Sequence, residues 1–478
     1  MIDFNSQRPS KLRRAGEKLQ PQGNTLFEFE EVEIVERRLT ESPKAASRLN
    51  DRMAWAIAVF VALIPVPYGA NRPLAWFVAI AVVALLCLVY FIGIMIVDRN
   101  RPSQLKNYWV IVALGGLAVV FASLQAAGFG VAPSFSQSHT MLAVPRMLSY
   151  GLIFVLVSEV CTNRFRTEKL MRTVFYIILF HAAWALLSLS VFGDTLLLAE
   201  KTDYQGVATG TFINRNSFAT FMGFGVIIGV AMMVFEMRSP AHRSPNRKSK
   251  RKGMTADVAF VGVLVLVILA ALVASASRLG LLSTLVGAWF TMVALLLRTD
   301  VSPVRVFGLT SAALLLGLVG FVAVSGQEML NRLVFIFVDS DTRIELFKQS
   351  WDMVLSYKWM GVGLDCYQIA FEQFHREGLS SDVVWDKPHN TYLTLWSEMG
   401  LIAGSLPMLA VLVAFVMLVR SVATRERSYF PAAAAAGVIV QGAIHSMGDF
   451  SLEIAANTYV FVIIVALGLA RRSRAREV

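Results

Sequence analysis

Residues 74–97 read LAWFVAIAVVALLCLVYFIGIMIV, 24 positions without one charged side chain. A helix of that length, at about 1.5 Å per residue, crosses the roughly 30 Å hydrocarbon layer of a bilayer. Similar apolar runs, broken by charged or turn-forming residues, fall near 53–69, 108–129, 147–161, 173–194, 216–236, 256–276, 279–297, 306–324, 391–419, 430–446 and 453–470. The pattern predicts an all-α polytopic membrane protein with about 12 transmembrane helices and a long loop, near 325–390, between helices 9 and 10. Composition agrees: of 478 residues, 56% are hydrophobic and only 16% charged, far from a soluble domain.

The net charge of +11 would fit nucleic acid if the cations formed a patch, but they sit mostly in loops between apolar runs. Nucleic acid is therefore not an expected partner. Alternating sides from a cytoplasmic N-terminus, 23 Lys and Arg fall in the loops on one side and in the C-terminal tail, against five in the opposite short loops. By the positive-inside rule both termini are expected in the cytoplasm, with the run RSPNRKSKRK at 243–252 as an anchor. The long loop is then periplasmic. Residues 1–52 mix acidic and basic side chains with Pro and Ser, which predicts a disordered or loosely amphipathic tail rather than a cleavable signal peptide. A single transmembrane domain that includes the long loop is expected over 53–470, followed by a basic cytoplasmic tail at 471–478. Cys87, Cys161 and Cys366 lack CxxC spacing, so neither a disulfide framework nor a zinc site is expected.

Chemistry concentrates on the expected outer side. KPHNTYL, Lys387 to Leu393, puts an imidazole where the long loop runs into an apolar helix, with Asn390 at the N-cap. Near neutral pH His389 is able to take a proton from a hydroxyl. Arg278 sits in a tight turn between spans, flanked by Ser275, Ser277 and Gly280. Arg343 opens an expected amphipathic helix at 342–357, TRIELFKQSWDMVLSY, where free backbone N–H groups would join it in an anion site. An arginine at a span boundary is commonly a snorkelling anchor, but two guanidiniums also match a pyrophosphate through bidentate hydrogen bonds. No carboxylate cluster in the sequence points to a metal.

Weaker candidates for substrate contact are Arg215 and Asn216 at the start of a span, Tyr392, Arg72 in an ordinary-looking turn, and Glu398, an acid about two turns into a span. Asp382 and Asp386 are the local carboxylates that would replace His389 as base. His445 and Asp449, four apart, are expected to share a helix face and a structural hydrogen bond.

In order along the chain, TGTFINRNSFA (209–219), SASRLGLLSTLVG (275–287), TRIELFKQSW (342–351) followed by GVGLD (361–365), and HNTYLTLWSEMGLIAG (389–404) resemble the O-antigen ligase and polymerase superfamily of membrane enzymes. The likeness covers about 206–421, and 67–73 and HSMGDF (445–450) resemble exopolysaccharide-associated members. The resemblance implies inverting, metal-independent transfer of a polyprenyl-pyrophosphate-linked oligosaccharide on the periplasmic face of the bacterial inner membrane. It needs no cofactor. Arg278 and Arg343 match the family's arginines and His389 its histidine. Membrane lipid, and a chain-length regulator or flippase of the same pathway, are the implied partners. The flanking patterns favour polymerisation of repeat units; transfer to lipid A core by a ligase is the alternative. A secondary transporter built from two six-span halves is the rival of another class, but the halves differ, since only the second holds a long outer loop.

Overall fold

In a computed structural model, residues 25–128, 134–237, 247–298, 302–324, 336–425 and 429–470 are described, and the protein is all-α. The helices are α1 (Thr25–Leu63), α2 (Pro73–Val97), α3 (Trp109–Ala126), α4 (Gln137–Val160), α5 (Arg164–Ser190), α6 (Arg215–Glu236), α7 (Arg247–Ala274), α8 (Arg278–Leu296), α9 (Pro303–Val324), α10 (Ile336–Ser356), α11 (Tyr367–Phe371), α12 (Thr391–Thr424), α13 (Phe430–His445) and α14 (Ala455–Leu469). Each expected span has its helix, and eight helices are long and apolar enough to cross a membrane by length and composition. The chain is a multi-pass membrane protein.

Several boundaries move outward, because charged turns at a membrane surface prolong a helix that hydropathy alone would end. α1 starts at Thr25, so 25–52, expected as a disordered or loose tail, is helical and continuous with the first span. α5 starts at Arg164 instead of near 173. Its first turns carry Arg166, which pairs with Asp51 at 2.8 Å, and Arg172, which pairs with Glu236 at 2.5 Å. Arg146, one of the five basic residues expected in the short outer loops, lies inside α4 beside Pro145. Residues 1–24, the central part of the basic loop at 238–246, residues 325–335 and the tail at 471–478 lie outside the described residues.

α6 is the most enclosed span and packs against α7, α8 and α13. α13 opens as FPAAAAAG, and these small side chains let it lie close to α8, with Gly437 against Gly287 and Thr291. Within the long loop, the described residues from 336 onward form a small helical subdomain. Leu346, Met353, Cys366, Tyr367 and Phe371 form its own buried core, with Phe135, Tyr357 and Phe374 packed around them.

This subdomain is fastened to α12 at a break. Gly400 has φ 75° and ψ 168°, which interrupts the helix and frees backbone groups. The outer chain takes them up: Leu401 N donates to Lys358 O at 2.8 Å, Val362 N to Ser397 O at 2.9 Å and Gly363 N to Glu398 O at 2.9 Å. Gln125 Nε2 adds bonds to Met360 O at 2.7 Å and Glu398 O at 2.9 Å. Unpaired backbone at this depth costs several kcal/mol per group, so the GVG turn is dictated by the break. Gly361, at φ 69°, lies directly on the Glu398 carbonyl. Gly361→Ala is expected to cost about 2 kcal/mol or more by combining overlap with an unfavourable φ. Thermal unfolding of the purified protein in detergent measures this; an unchanged midpoint would mean that the loop shifts freely away.

Candidate functional site

Three helices begin at one end of the bundle, each with a polar N-cap. Asn214 accepts from Asn216 N (2.7 Å) and Ser217 N (3.3 Å) at α6. Ser277 accepts from Gly280 N at 3.3 Å at α8, and Asn390 accepts from Tyr392 N (3.0 Å) and Leu393 N (3.1 Å) at α12. Such caps satisfy orphan N–H groups and leave the positive end of each helix dipole facing the same region.

The turn at 445–450 joins them. Asn216 accepts from Ser277 Oγ at 2.8 Å and donates through Nδ2 to Asp449 Oδ2 at 2.7 Å, so α6 and α8 meet on one carboxylate. Ser451 also donates to Asp449. α12 joins through Thr391 N to Ser446 O (3.1 Å), Thr391 Oγ1 to Asp449 O (3.3 Å) and Asn390 Nδ2 to Met447 O (3.0 Å). His445 ends α13, so it and Asp449 do not share a helix face as expected; Nδ1 and Oδ1 are 4.0 Å apart and His445 Nδ1 meets Thr220 Oγ1 at 3.2 Å. The helix ends at His445, and in the turn that follows the side chain of Leu279 lies against Gly448. Both side chains bond within the scaffold, His445 to Thr220 and Asp449 to Asn216 and Ser451.

Two of the three principal candidates, Arg343 and His389, touch this turn, and the third, Arg278, starts the helix whose Leu279 lies against it. His389 lies edge-on to Phe450, with ring centroids 4.9 Å apart, and has φ 53°. Histidine is among the few residues enriched in that conformation, which still costs about 1–3 kcal/mol. Its Nδ1 is buried without a hydrogen-bond partner. Burial, reinforced by Arg343, holds the imidazole below the ordinary histidine value, while Asp449, Asp386 and Glu453 pull the other way. Arg343 is exposed and commits one N–H to Gly448 O at 3.1 Å, leaving most of its five-donor fork available. It does not open a helix. α10 starts seven residues earlier because IFVDSD continues the helical pattern upstream, so free N–H groups at a helix start are not its neighbours. Arg278 is the half-buried first residue of α8, adjoining Leu279 and Ser277.

Of the weaker candidates, Arg215 lies over the Tyr204 ring at 5.5 Å, and Tyr204 feels the charges of Asp449 and Arg343. Asn216 is a knot of the scaffold. Tyr392 donates to Ala443 O at 2.8 Å and lines an apolar groove of about 460 Å³ between α10 and α12, with Ile344, Phe347, Trp351, Leu393 and Trp396. Glu398, expected to serve a substrate or pair with an arginine, is buried and accepts from Tyr367 N at 3.3 Å, where it supports the subdomain. Arg72 is exposed at the start of α2. Asp382 and Asp386 are exposed. Among the described residues, no three His, Cys, Asp or Glu side chains gather as metal ligands.

Four charged residues that form a chain of pairs through the segment before His389 escaped the sequence: Arg146, Asp365, Lys387 and Glu453. Lys387 stood within the motif and Asp365 closed GVGLD, but charge alone does not reveal pairing across the chain.

The described helices form a multi-pass membrane architecture, with Arg343 and His389 meeting at one end of it. Residues 262–408 match the family model of the O-antigen ligase, from within α7 into α12, so the resemblance seen in the motifs holds over that segment. All three principal candidates fall inside it, whereas the 445–450 turn lies beyond. No curated protein matches the chain.

The Asn216 to Asp449 contact makes a clean test of the scaffold. Asn216→Asp sets two carboxylates at hydrogen-bond distance and is expected to destabilise by about 2 kcal/mol or more. Adding Asp449→Asn restores an amide-carboxylate pair and should recover most of the loss. Melting curves of the two variants decide it; equal midpoints for the single variant and wild type would remove Asp449 from the scaffold.

Proposed function

We propose that the protein transfers a polyprenyl-pyrophosphate-linked glycan to an acceptor sugar hydroxyl, polymerising O-antigen or exopolysaccharide repeat units at the periplasmic face of the inner membrane. The observation that carries this is the meeting of Arg343, His389 and the Arg278-bearing end of α8 on the 445–450 turn, beside an apolar groove. The O-antigen ligase match over the same residues supports it.

In this mechanism Arg278 and Arg343 hold the pyrophosphate by bidentate hydrogen bonds, and the positive helix ends add to the field. The groove between α10 and α12 accepts the start of the lipid chain. The acceptor oxygen attacks the anomeric carbon from the face opposite the pyrophosphate while His389 takes its proton. The glycosidic bond forms as the bond from carbon to phosphate oxygen breaks. Polyprenyl pyrophosphate then leaves with the electron pair, its charge met by the two guanidiniums. Configuration inverts, and no metal takes part in any step.

Purified protein given a defined lipid-linked repeat distinguishes the acceptors by mass spectrometry. Lengthened lipid-linked glycan supports polymerisation; transfer only to lipid A core makes the protein a ligase; neither product sinks the proposal. Arg278→Lys and Arg343→Lys keep the charge but lose the planar fork, so each should lower turnover at least tenfold with insertion intact. Wild-type rates in both would defeat the arginine clamp.

His389→Ala should keep donor binding and lose about 10² to 10⁴ in rate. In the wild type, kcat/KM should rise with pH as the imidazole loses its proton, with a midpoint below the ordinary histidine value of about 6.5, and stay level through neutrality. An acid limb that is unchanged in His389→Ala would reassign the base.

A further inference from the structure

The segment that presents His389 is tied down by charges that the transfer reaction leaves unused. Lys387, two residues upstream, places Nζ 3.2 Å from Glu453 Oε2 and 3.7 Å from Asp365 Oδ1. Glu453 also accepts from Thr394 Oγ1 at 2.9 Å, in the first turn of α12. Asp365 is held by Arg146 of α4 at 3.1 Å, and that guanidinium lies 4.4 Å over the Trp76 ring of α2. The two cations are matched by the carboxylates of Asp365 and Glu453, with the Glu398 carboxyl also acting on Lys387, so the chain of pairs is ill suited to holding an anion.

It is well suited to holding a shape. Its side chains are only 16% to 24% exposed, a setting in which removal of one partner leaves a half-buried charge uncompensated. Burial works against the Lys387 ammonium, yet Glu453, Glu398 and Asp365 outweigh it and keep it protonated. Asp365 and His389, on either side of the bridge, both have positive φ, at 65° and 53°. Neither backbone would keep that conformation without restraint. Downstream of His389, Asn390 is fixed by its cap and by Met447 O. Upstream, the Lys387 bridge is the corresponding restraint.

We propose that Lys387 is a positioning residue, which clamps the 387–390 turn between Asp365 and Glu453 so that His389 is presented against Phe450. The proposal rests on the glycan-transfer mechanism for what His389 does, but the clamp itself is measurable without turnover. The charged groups that face His389 are Asp449, Asp386, Glu453 and Arg343, with the Phe450 ring covering one edge. Removing Lys387 exposes the imidazole to an uncompensated Glu453, which favours the protonated ring; removing the Glu453 charge does the opposite.

The test uses the full chain in detergent or nanodiscs with histidine labelled for NMR, the His389 signal being assigned by its loss in His389→Ala. Lys387→Met should raise the pH at which His389 titrates and lower glycan transfer about tenfold to a hundredfold, with affinity for undecaprenyl pyrophosphate unchanged. Glu453→Gln should lower that titration point. Lys387→Arg, able to keep both pairs, should behave as wild type. A Lys387→Met protein with wild-type titration overturns the clamp. Loss of undecaprenyl pyrophosphate binding in that variant overturns it too, because Lys387 would then be a substrate contact. If the wild type neither binds that lipid nor transfers glycan, the enzymatic mechanism fails, while the opposed titration shifts still decide whether the clamp exists.

Discussion

Backbone hydrogen bonds that have nowhere else to go govern this architecture. Water is scarce where the spans end or break, so every interrupted helix must find its partners within the protein. At α12 the interruption is Gly400, and the partners come from 358–363. At α6, α8 and α12 the starting N–H groups are taken by Asn214, Ser277 and Asn390. A motif such as GVGLD is from this standpoint a set of donors at the spacing the broken helix requires, with Asp365 as its last and charged member.

Those satisfied helix ends build the candidate site. Asp449, itself 1% exposed, gathers Asn216 and Ser451 directly and Ser277 through Asn216. One buried carboxylate with complete hydrogen bonding therefore fixes the relative position of two spans, and Arg278 starts one of them. The same turn gives a carbonyl to Arg343 and a ring edge to His389. Residues far apart in the chain share one support, and that explains how a site drawn from α8, α10 and the loop before α12 keeps its geometry.

Hydropathy made the spans legible, since the bilayer imposes a length and a polarity that few other folds need. It misplaced their ends, because the charged turns of α1 and α5 and the Pro145–Arg146 pair in α4 look like loops until their partners are known. Arg278, Arg343 and His389 were legible because an ionisable group beside an apolar run is expensive without a reason. Lys387, Asp365, Glu453 and Arg146 were not. Their meaning lies in pairs separated by 22 to 219 positions along the chain, and no local pattern encodes such pairs. Glu398 stood out for the same reason as the arginines, and its carboxylate accepts from the amide of Tyr367.

The fastening of the outer subdomain to α12 also limits how the protein moves. Three main-chain bonds span the break, and Gly361 and Gly400 leave no slack between the two backbones. The subdomain and the upper half of α12 therefore travel as one body. On the proposed function, a lipid-borne donor entering from the bilayer would pass where that body is not sewn shut, along the aromatic side of α10, where Trp351 and Ile344 remain uncovered. The break in α12 thus acts as a weld, and the direction of entry is set by the side left unwelded.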